Sequence, residues 1–413
     1  MGYRAEFVDN WRQLAAASVG MALGLALNHY VMSLFAPAMI AEFGWSRAKY
    51  ALVGATPFLT MFLIPLAGRF TDRVGPRKAA AVGFIALPLG YLALSFMNGS
   101  FAVFLAIIVV KSLLGTLTTT MVFARVIVER FDRARGIALS IVMSGAPLVA
   151  ALAIPFLAQI IDVYGWRNGF RAIAVVTVLG GCFTMAMMGG GEPASAAPGD
   201  GQSPRLSKSE IGKLFASPLF LLAIGGMLLV NIPQLLVASQ LKLVLAENGA
   251  TGQSATWIVS LYAIGVVIGR FICGAALDRV PVHKVAIMAL GAPAIGLAAL
   301  ASPFDSIWLL SGSILLMALA QGAEGDIGAY LISRKFELRN YSLIMSFMTV
   351  SLTLGSAFGS VMLSYSLSLA DSYAAFLSLS AGVTLVGAYL FFLTGRFPPR
   401  NVSDPMMRGA LAT

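Results

Sequence analysis

"GRFTDRVGPRK" (68–78) and, 206 residues later, "GAALDRVPVHK" (274–284) are two versions of one pattern. Each has a glycine, then Asp-Arg, then a basic end, and each is an island between two long apolar runs. Such islands are where a chain turns at a membrane surface. The same offset carries "GWRNGF" (165–170) onto "DSYAAF" (371–376), with Phe170 matching Phe376. A chain that repeats itself in parallel order has the architecture of a transporter, and its binding site belongs near the midplane, between the halves.

Composition agrees. Of 413 residues, 58% are hydrophobic and 11% charged, against about 25% charged in a soluble domain. Apolar runs of about 20 residues recur along the chain, each able to span a ~30 Å hydrocarbon core. They are continuous rather than alternating, so the expected class is an all-α membrane protein. Twelve transmembrane helices are expected at about 14–36, 49–70, 79–97, 101–124, 136–161, 170–188, 218–244, 254–277, 284–301, 306–332, 341–368 and 373–395. Between the sixth and seventh lies "GGGEPASAAPGDGQSPRLSKSE" (189–210), whose Gly, Pro and Ser content reads as a linker. The expected organisation is therefore an N-terminal half (1–188), a cytoplasmic linker (189–217) and a C-terminal half (218–413).

The net charge of +10 reports topology rather than nucleic-acid binding. With the N-terminus inside, twenty Lys and Arg fall in cytoplasmic segments and five in outer ones. Both termini are expected in the cytoplasm and the protein in the cell's inner membrane. Cys182 and Cys273 lie within apolar runs, which argues against a disulfide framework. "MGYRAEFVDNWRQ" (1–13) leads into a first span without a clear cleavage site and reads as a retained helix.

The first island resembles the signature of the major facilitator superfamily, carried by Gly68, Asp72, Arg73, Gly75, Arg77 and Lys78; the second copy keeps Gly274, Asp278 and Arg279. It departs at Pro281, where the first has Gly75, so its turn should differ. The resemblance covers all twelve spans and implies alternating access by rocking of two six-helix halves. Within the superfamily the chain is similar to bacterial members of the monocarboxylate and oxalate–formate branch, through "EFGWSRA" (42–48), "VERFDRARGIALSIVMSG" (128–145) and "IGRFICGAALDR" (268–279). In that branch an arginine four residues before the glycine of the second signature copy binds the substrate carboxylate. Arg270 stands four before Gly274. Its guanidinium is a planar fork suited to a carboxylate.

The chain departs from the branch in three places. The aspartate that partners this arginine one turn earlier in animal carriers is Val266 here, helix 1 ("LALNHYVMS", 25–33) has no lysine, and helix 11 ("SFMTVSLTLGS", 346–356) has no second cation. A dianion clamp is therefore disfavoured, and a monoanion fits better.

Other polar groups stand inside apolar runs, where an ionisable side chain is a functional candidate by default. Lys111 begins "KSLLG" (111–115), similar to a helix 4 pattern of proton-coupled facilitators with lysine in place of arginine; the plainer reading is a lysine that snorkels outward. Glu324 and Asp326, in "AQGAEGDIGAY" (320–330), point about 200° apart on a helix, so at most one faces a given cavity. They are candidates for proton carrier or counter-charge to Arg270, or for a static ion pair. Gly322, Gly325 and Gly328 would let a neighbouring helix approach. Asn28 and His29 on helix 1, Asn231 and Gln234 around Pro233 on helix 7, and Tyr262 are candidate substrate contacts, with His29 and Lys111 also candidates for proton coupling.

These residues point to a carrier of a small organic anion, a monocarboxylate before others, moved with a proton, most simply by uptake as a symport. Two alternatives stay open. One is an exporter of amphipathic drugs or cations that uses Glu324 or Asp326, with Arg270 structural. The other is a membrane sensor that transports nothing. No phosphate loop, metal-ligand cluster or nucleophile constellation is present in the sequence, so neither an enzyme nor a cofactor is expected. The expected partners are a carboxylate, a proton and the bilayer, with no nucleic acid, and the protein is expected to be a monomer.

Overall fold

The computed structural model describes residues 3–62, 64–131, 134–188, 212, 214–304, 306–336 and 341–397. The linker expected at 189–217 falls largely outside the described residues. No strand occurs among those described. Nine described helices are long and apolar enough to cross a membrane, and ten if the pair Trp11–Leu23 and Leu25–Leu34, bent by 42°, is one span. The second and seventh spans complete the twelve as interrupted helices. The long proline-bearing helix Arg135–Tyr164 stays continuous through Pro147 and Pro155.

Each interruption has a local cause. The second span, expected as one helix over 49–70, is divided into Arg47–Ala51, a tighter turn Leu52–Ala55, Thr56–Met61 and Ile64–Val74. Pro57 lacks the N–H that a continuous helix needs. A Cβ at Gly54 would lie 2.3 Å from Ser360 Oγ, so the eleventh span packs directly on that turn. The seventh span, expected over 218–244, stops at Val230 and resumes in a π-turn at Leu236–Gln240, with Pro233 between them. The first span kinks at Gly24. The freed N–H of Leu25 donates to Thr118 Oγ1 at 2.9 Å, and Thr118 itself sits in a short tight turn of the fourth span, Thr116–Thr118. Thr116, Thr118 and Thr119 each bond back to a backbone carbonyl of their own helix there.

The two halves carry matching turns. Gly165 has φ +85°, and its counterpart Asp371 adopts φ +45°, the one non-glycine with positive φ among the described residues. Phe170 and Phe376, five residues on, are both buried.

Among the described residues, the apolar packing that joins the halves lies at one end. A single apolar cluster joins them there, with Val31, Phe35 and Tyr50 from one half and Leu235, Tyr262 and Tyr373 from the other. At the opposite end, which carries the 68–78 and 274–284 turns, the buried apolar residues form two separate clusters. One contains residues of the N-terminal half only (Phe123, Phe131), the other residues of the C-terminal half only (Phe220, Phe391). The molecule is thus closed on one face and parted on the other.

Candidate functional site

Arg270 sits where the joined cluster ends. One turn before it, Val266 belongs to the cluster that bridges the halves; three residues after it, Cys273 belongs to the cluster of the C-terminal half alone. The guanidinium is half-buried and makes no hydrogen bond or ion pair with a described residue. Its field reaches Asp326 and Cys273 in its own half and Tyr30 in the other. The Tyr30 ring lies 6.2 Å from the Tyr262 ring, so the two halves meet through these tyrosines. Helices 8 and 10 come close at this level because of glycine. A Cβ on Gly322 would stand 2.1 Å from the Val266 carbonyl oxygen, and one on Gly269 2.2 Å from that of Leu319. Of the three helix 10 glycines singled out in the sequence, only Gly322 makes this approach: a Cβ on Gly325 would meet nothing, and one on Gly328 would make ordinary contacts.

Lys111 lies in the other half and does not snorkel. It is 2% exposed, its Nζ donates to Asn28 Oδ1 at 2.7 Å, and the ammonium lies 4.2 Å from the centre of the Tyr91 ring. Gly90 leaves room for the stem, since a Cβ there would fall 2.6 Å from Lys111 Cγ. An amide oxygen and an aromatic face are what a buried ammonium needs in place of water. Asn28, a candidate substrate contact by sequence, therefore spends its oxygen on Lys111.

Glu324 and Asp326 face different ways, as their helical angle requires. Glu324 is buried and accepts a hydrogen bond from Asn231 Nδ2 across to the broken seventh span. Asp326 is half-buried and lies within the electrostatic reach of Arg270. Glu324 and Gln234 line a small cavity between spans 7, 9 and 10, together with Gln321 and Pro293. His29 packs edge-on against Tyr30, with centroids 5.1 Å apart, and its Nε2 and the Tyr262 hydroxyl are buried without a hydrogen-bond partner. Tyr30, Tyr91 and Gln321 were not legible as site residues. Each is an ordinary packing residue in a one-dimensional reading, and only the helix contacts give it a charged neighbour.

The model of the Major Facilitator Superfamily matches residues 17–243 and 227–408. The chain belongs to the Major Facilitator Superfamily. Among curated relatives, it is 24% identical over 338 residues to monocarboxylate transporter 11 of Homo sapiens, covering 78% of this chain and 68% of that protein. It is 23% identical over 288 residues to monocarboxylate transporter 13 of Bos taurus, covering 68% of this chain and 65% of that one. Among solved structures, the nucleoside transporter NupG superposes with a TM-score of 0.74 at 13% identity, over 92% of this chain and 98% of that one. That likeness is one of fold.

The superfamily signature can be followed into the structure. Gly75 turns the chain with φ +86°, a conformation open to glycine, and its counterpart Pro281 has φ −54°. The two turns differ, as the substitution of Pro for Gly demands. Gly68 is half-buried, Arg73 and Lys78 are exposed, and Arg77 Nη2 donates to the Met185 carbonyl at 3.2 Å, tying the turn to the end of the sixth span. The Asp72 side chain lies outside the described residues. In the second copy Asp278 and Arg279 are exposed, and a Cβ on Gly274 would meet nothing within 4 Å. The protein is a membrane transporter of this superfamily rather than an enzyme.

Proposed function

We propose that this transporter takes up a small organic anion, a monocarboxylate, together with a proton, and that Arg270 anchors the carboxylate. The observation that carries this reading is the state of Arg270: a half-buried guanidinium where the cluster joining the halves ends, without a hydrogen bond or ion pair to a described residue. A guanidinium in that position is costly unless an anion is meant to meet it. The monocarboxylate transporters among the relatives support the same substrate class, and the helix 11 stretch 346–356 carries no second cation for a dianion.

The charge balance suggests the coupling. Asp326, ionised, offsets Arg270 through space. An arriving carboxylate takes over that role and leaves one negative charge too many. A proton on Asp326 restores neutrality, so carboxylate and proton bind together, and the pair crosses without net charge. Lys111 is held by Asn28 and Tyr91 within the N-terminal half, which fits a side chain fixed in place better than one that moves with the substrate. By the lysine and arginine count, the parted face is cytoplasmic, both termini lie there, and the membrane is the inner one. The carrier works as a monomer.

The reading as an exporter of cations, with Glu324 as the binding group, is less well supported because Glu324 is turned into its own half and bonded to Asn231. The test is a thermal-shift screen of the purified protein with carboxylates and cationic drugs at pH 5.5 and 7.5, beside Arg270→Ala. A ligand that binds the folded state raises its stability by mass action. Stabilisation of the native protein alone by one carboxylate supports the proposal. Stabilisation of both proteins by cations only, or by no carboxylate at all, rejects it.

A further inference from the structure

Several oxygen atoms around Glu324 have no hydrogen bond with a described residue. Glu324 Oε1 takes the Asn231 amide, and Oε2 has no hydrogen bond with a described residue. Gln321 Oε1 and Asn231 Oδ1 are both buried without a partner. The break in the seventh span adds another oxygen. Its turn bonds run from Asn231 N to Leu228 O, Ile232 N to Leu229 O, and Gln234 N to Asn231 O. The Val230 carbonyl would ordinarily take residue 233 or 234. Position 233 is proline and has no N–H, and the N–H of Gln234 is spent on Asn231. Val230, Gln321 and Glu324 line one cavity of about 30 Å³, with Gln234 and Pro293 also in its wall. That is room for one water-sized occupant.

We infer that this cavity is a binding site for a small monovalent cation, sodium, held by the Glu324 carboxylate, Gln321 Oε1 and the Val230 carbonyl. One carboxylate with neutral oxygens and a broken-helix carbonyl is a hard-cation donor set. A proton on Glu324 would serve one lone pair, whereas a cation would draw on the Glu324, Gln321 and Val230 oxygens together. Tyr262, whose hydroxyl has no hydrogen-bond partner among the described residues, is a titratable side chain of span 8 within electrostatic reach of Glu324; the residues of span 9 in the cavity wall, Leu290 and Pro293, carry no charge. Neither Arg270 nor Asp326 lines this cavity, and the site does not depend on the anion reading. Bound sodium would hold the two parts of span 7 against span 10.

The test uses the purified full chain in sodium, potassium and choline chloride at one ionic strength, with direct binding of ²²Na⁺. Sodium should raise the melting temperature over choline by roughly 2 °C or more, in a saturable way, and the isotope should bind. Glu324→Gln should abolish both effects, Gln321→Leu should weaken sodium binding about tenfold, and Arg270→Ala should keep both effects. Equal melting in sodium and choline without bound isotope overturns the inference, even if acid alone stabilises, since the occupant is then a proton or a water. A full sodium response in Glu324→Gln also overturns it. If that variant does not melt cooperatively, unchanged sodium affinity in Gln321→Leu decides against the site.

Discussion

Arg47, at the start of the second span, places Nη1 2.7 Å from Oε2 of Glu247, at the end of the seventh. The other carboxylate oxygen accepts from Ser372 Oγ at 2.8 Å and from Tyr373 N at 2.9 Å. One glutamate thus fastens the N-terminal half to the turn that begins the twelfth span. The link lies on the closed face, where Lys242 also approaches Asp162 at 4.0 Å. In alternating access this face must open, and the Arg47–Glu247 pair must part.

The pair is partly exposed, so its strength is about 1 kcal/mol or less. Arg47→Gln should raise the share of molecules open on this face by up to about fivefold. Accessibility of a cysteine introduced at Ala48 to a membrane-impermeant reagent reads that share. No rise in labelling would show that apolar packing alone keeps the face shut.

Asp326 should govern the pH response of transport. On the proposed mechanism, Asp326→Asn removes the charge that competes with the substrate for Arg270. Substrate binding should then tighten and lose its dependence on pH, while a pH gradient across proteoliposomes should no longer drive accumulation. Accumulation at the native level in this variant would remove Asp326 from the coupling.

Asn28 and Lys111 should behave as one unit. Asn28→Leu takes the acceptor from a buried ammonium and should cost about 1–3 kcal/mol. Lys111→Met in the same background should recover most of that loss, because the pair is then replaced by apolar groups. Thermal denaturation of the two single variants and the double variant checks this. Additive losses would mean that the two side chains are not coupled.

Glu42 supplies a pH effect outside the spans. Its carboxylate accepts from Trp166 Nε1 at 2.6 Å and from Arg167 Nη1 at 2.6 Å and 2.8 Å. These bonds, first the one from Trp166 and then those from Arg167, hold its pKa below the ordinary carboxylate value. The depressed pKa belongs to the folded state, so the contribution is complete above the unfolded value of about 4.3 and is lost as pH falls through the lower folded value. Glu42→Gln should therefore flatten the fall in melting temperature below about pH 4.3. A fall as steep as in the native protein would place the acid sensitivity elsewhere.

Most of the fold was legible because a membrane leaves a chain few choices. Apolar runs of spanning length, basic islands on one side and an internal repeat at one offset define twelve spans in two halves without any tertiary contact. The interruptions were only partly legible. Pro233 announced the break in the seventh span; the second divides beside Pro57 and packs through Gly54 on Ser360 of the eleventh, a contact that no local pattern records.

The site divides in the same way. Sequence alone determined which ionisable groups stand inside the membrane, because each charge is conspicuous against an apolar run: Arg270, Lys111, Glu324 and Asp326. It also determined that Glu324 and Asp326 look in different directions, because helical geometry sets that angle. Only the tertiary structure decided their partners. Lys111 went to Asn28 and Tyr91, Glu324 to Asn231, and Asp326 to the side of Arg270. Partner choice is a matter of which helices touch and at what height. That is set by close approaches such as Gly322 against Val266 and by the kink at Gly24, which no spacing along a single helix can specify.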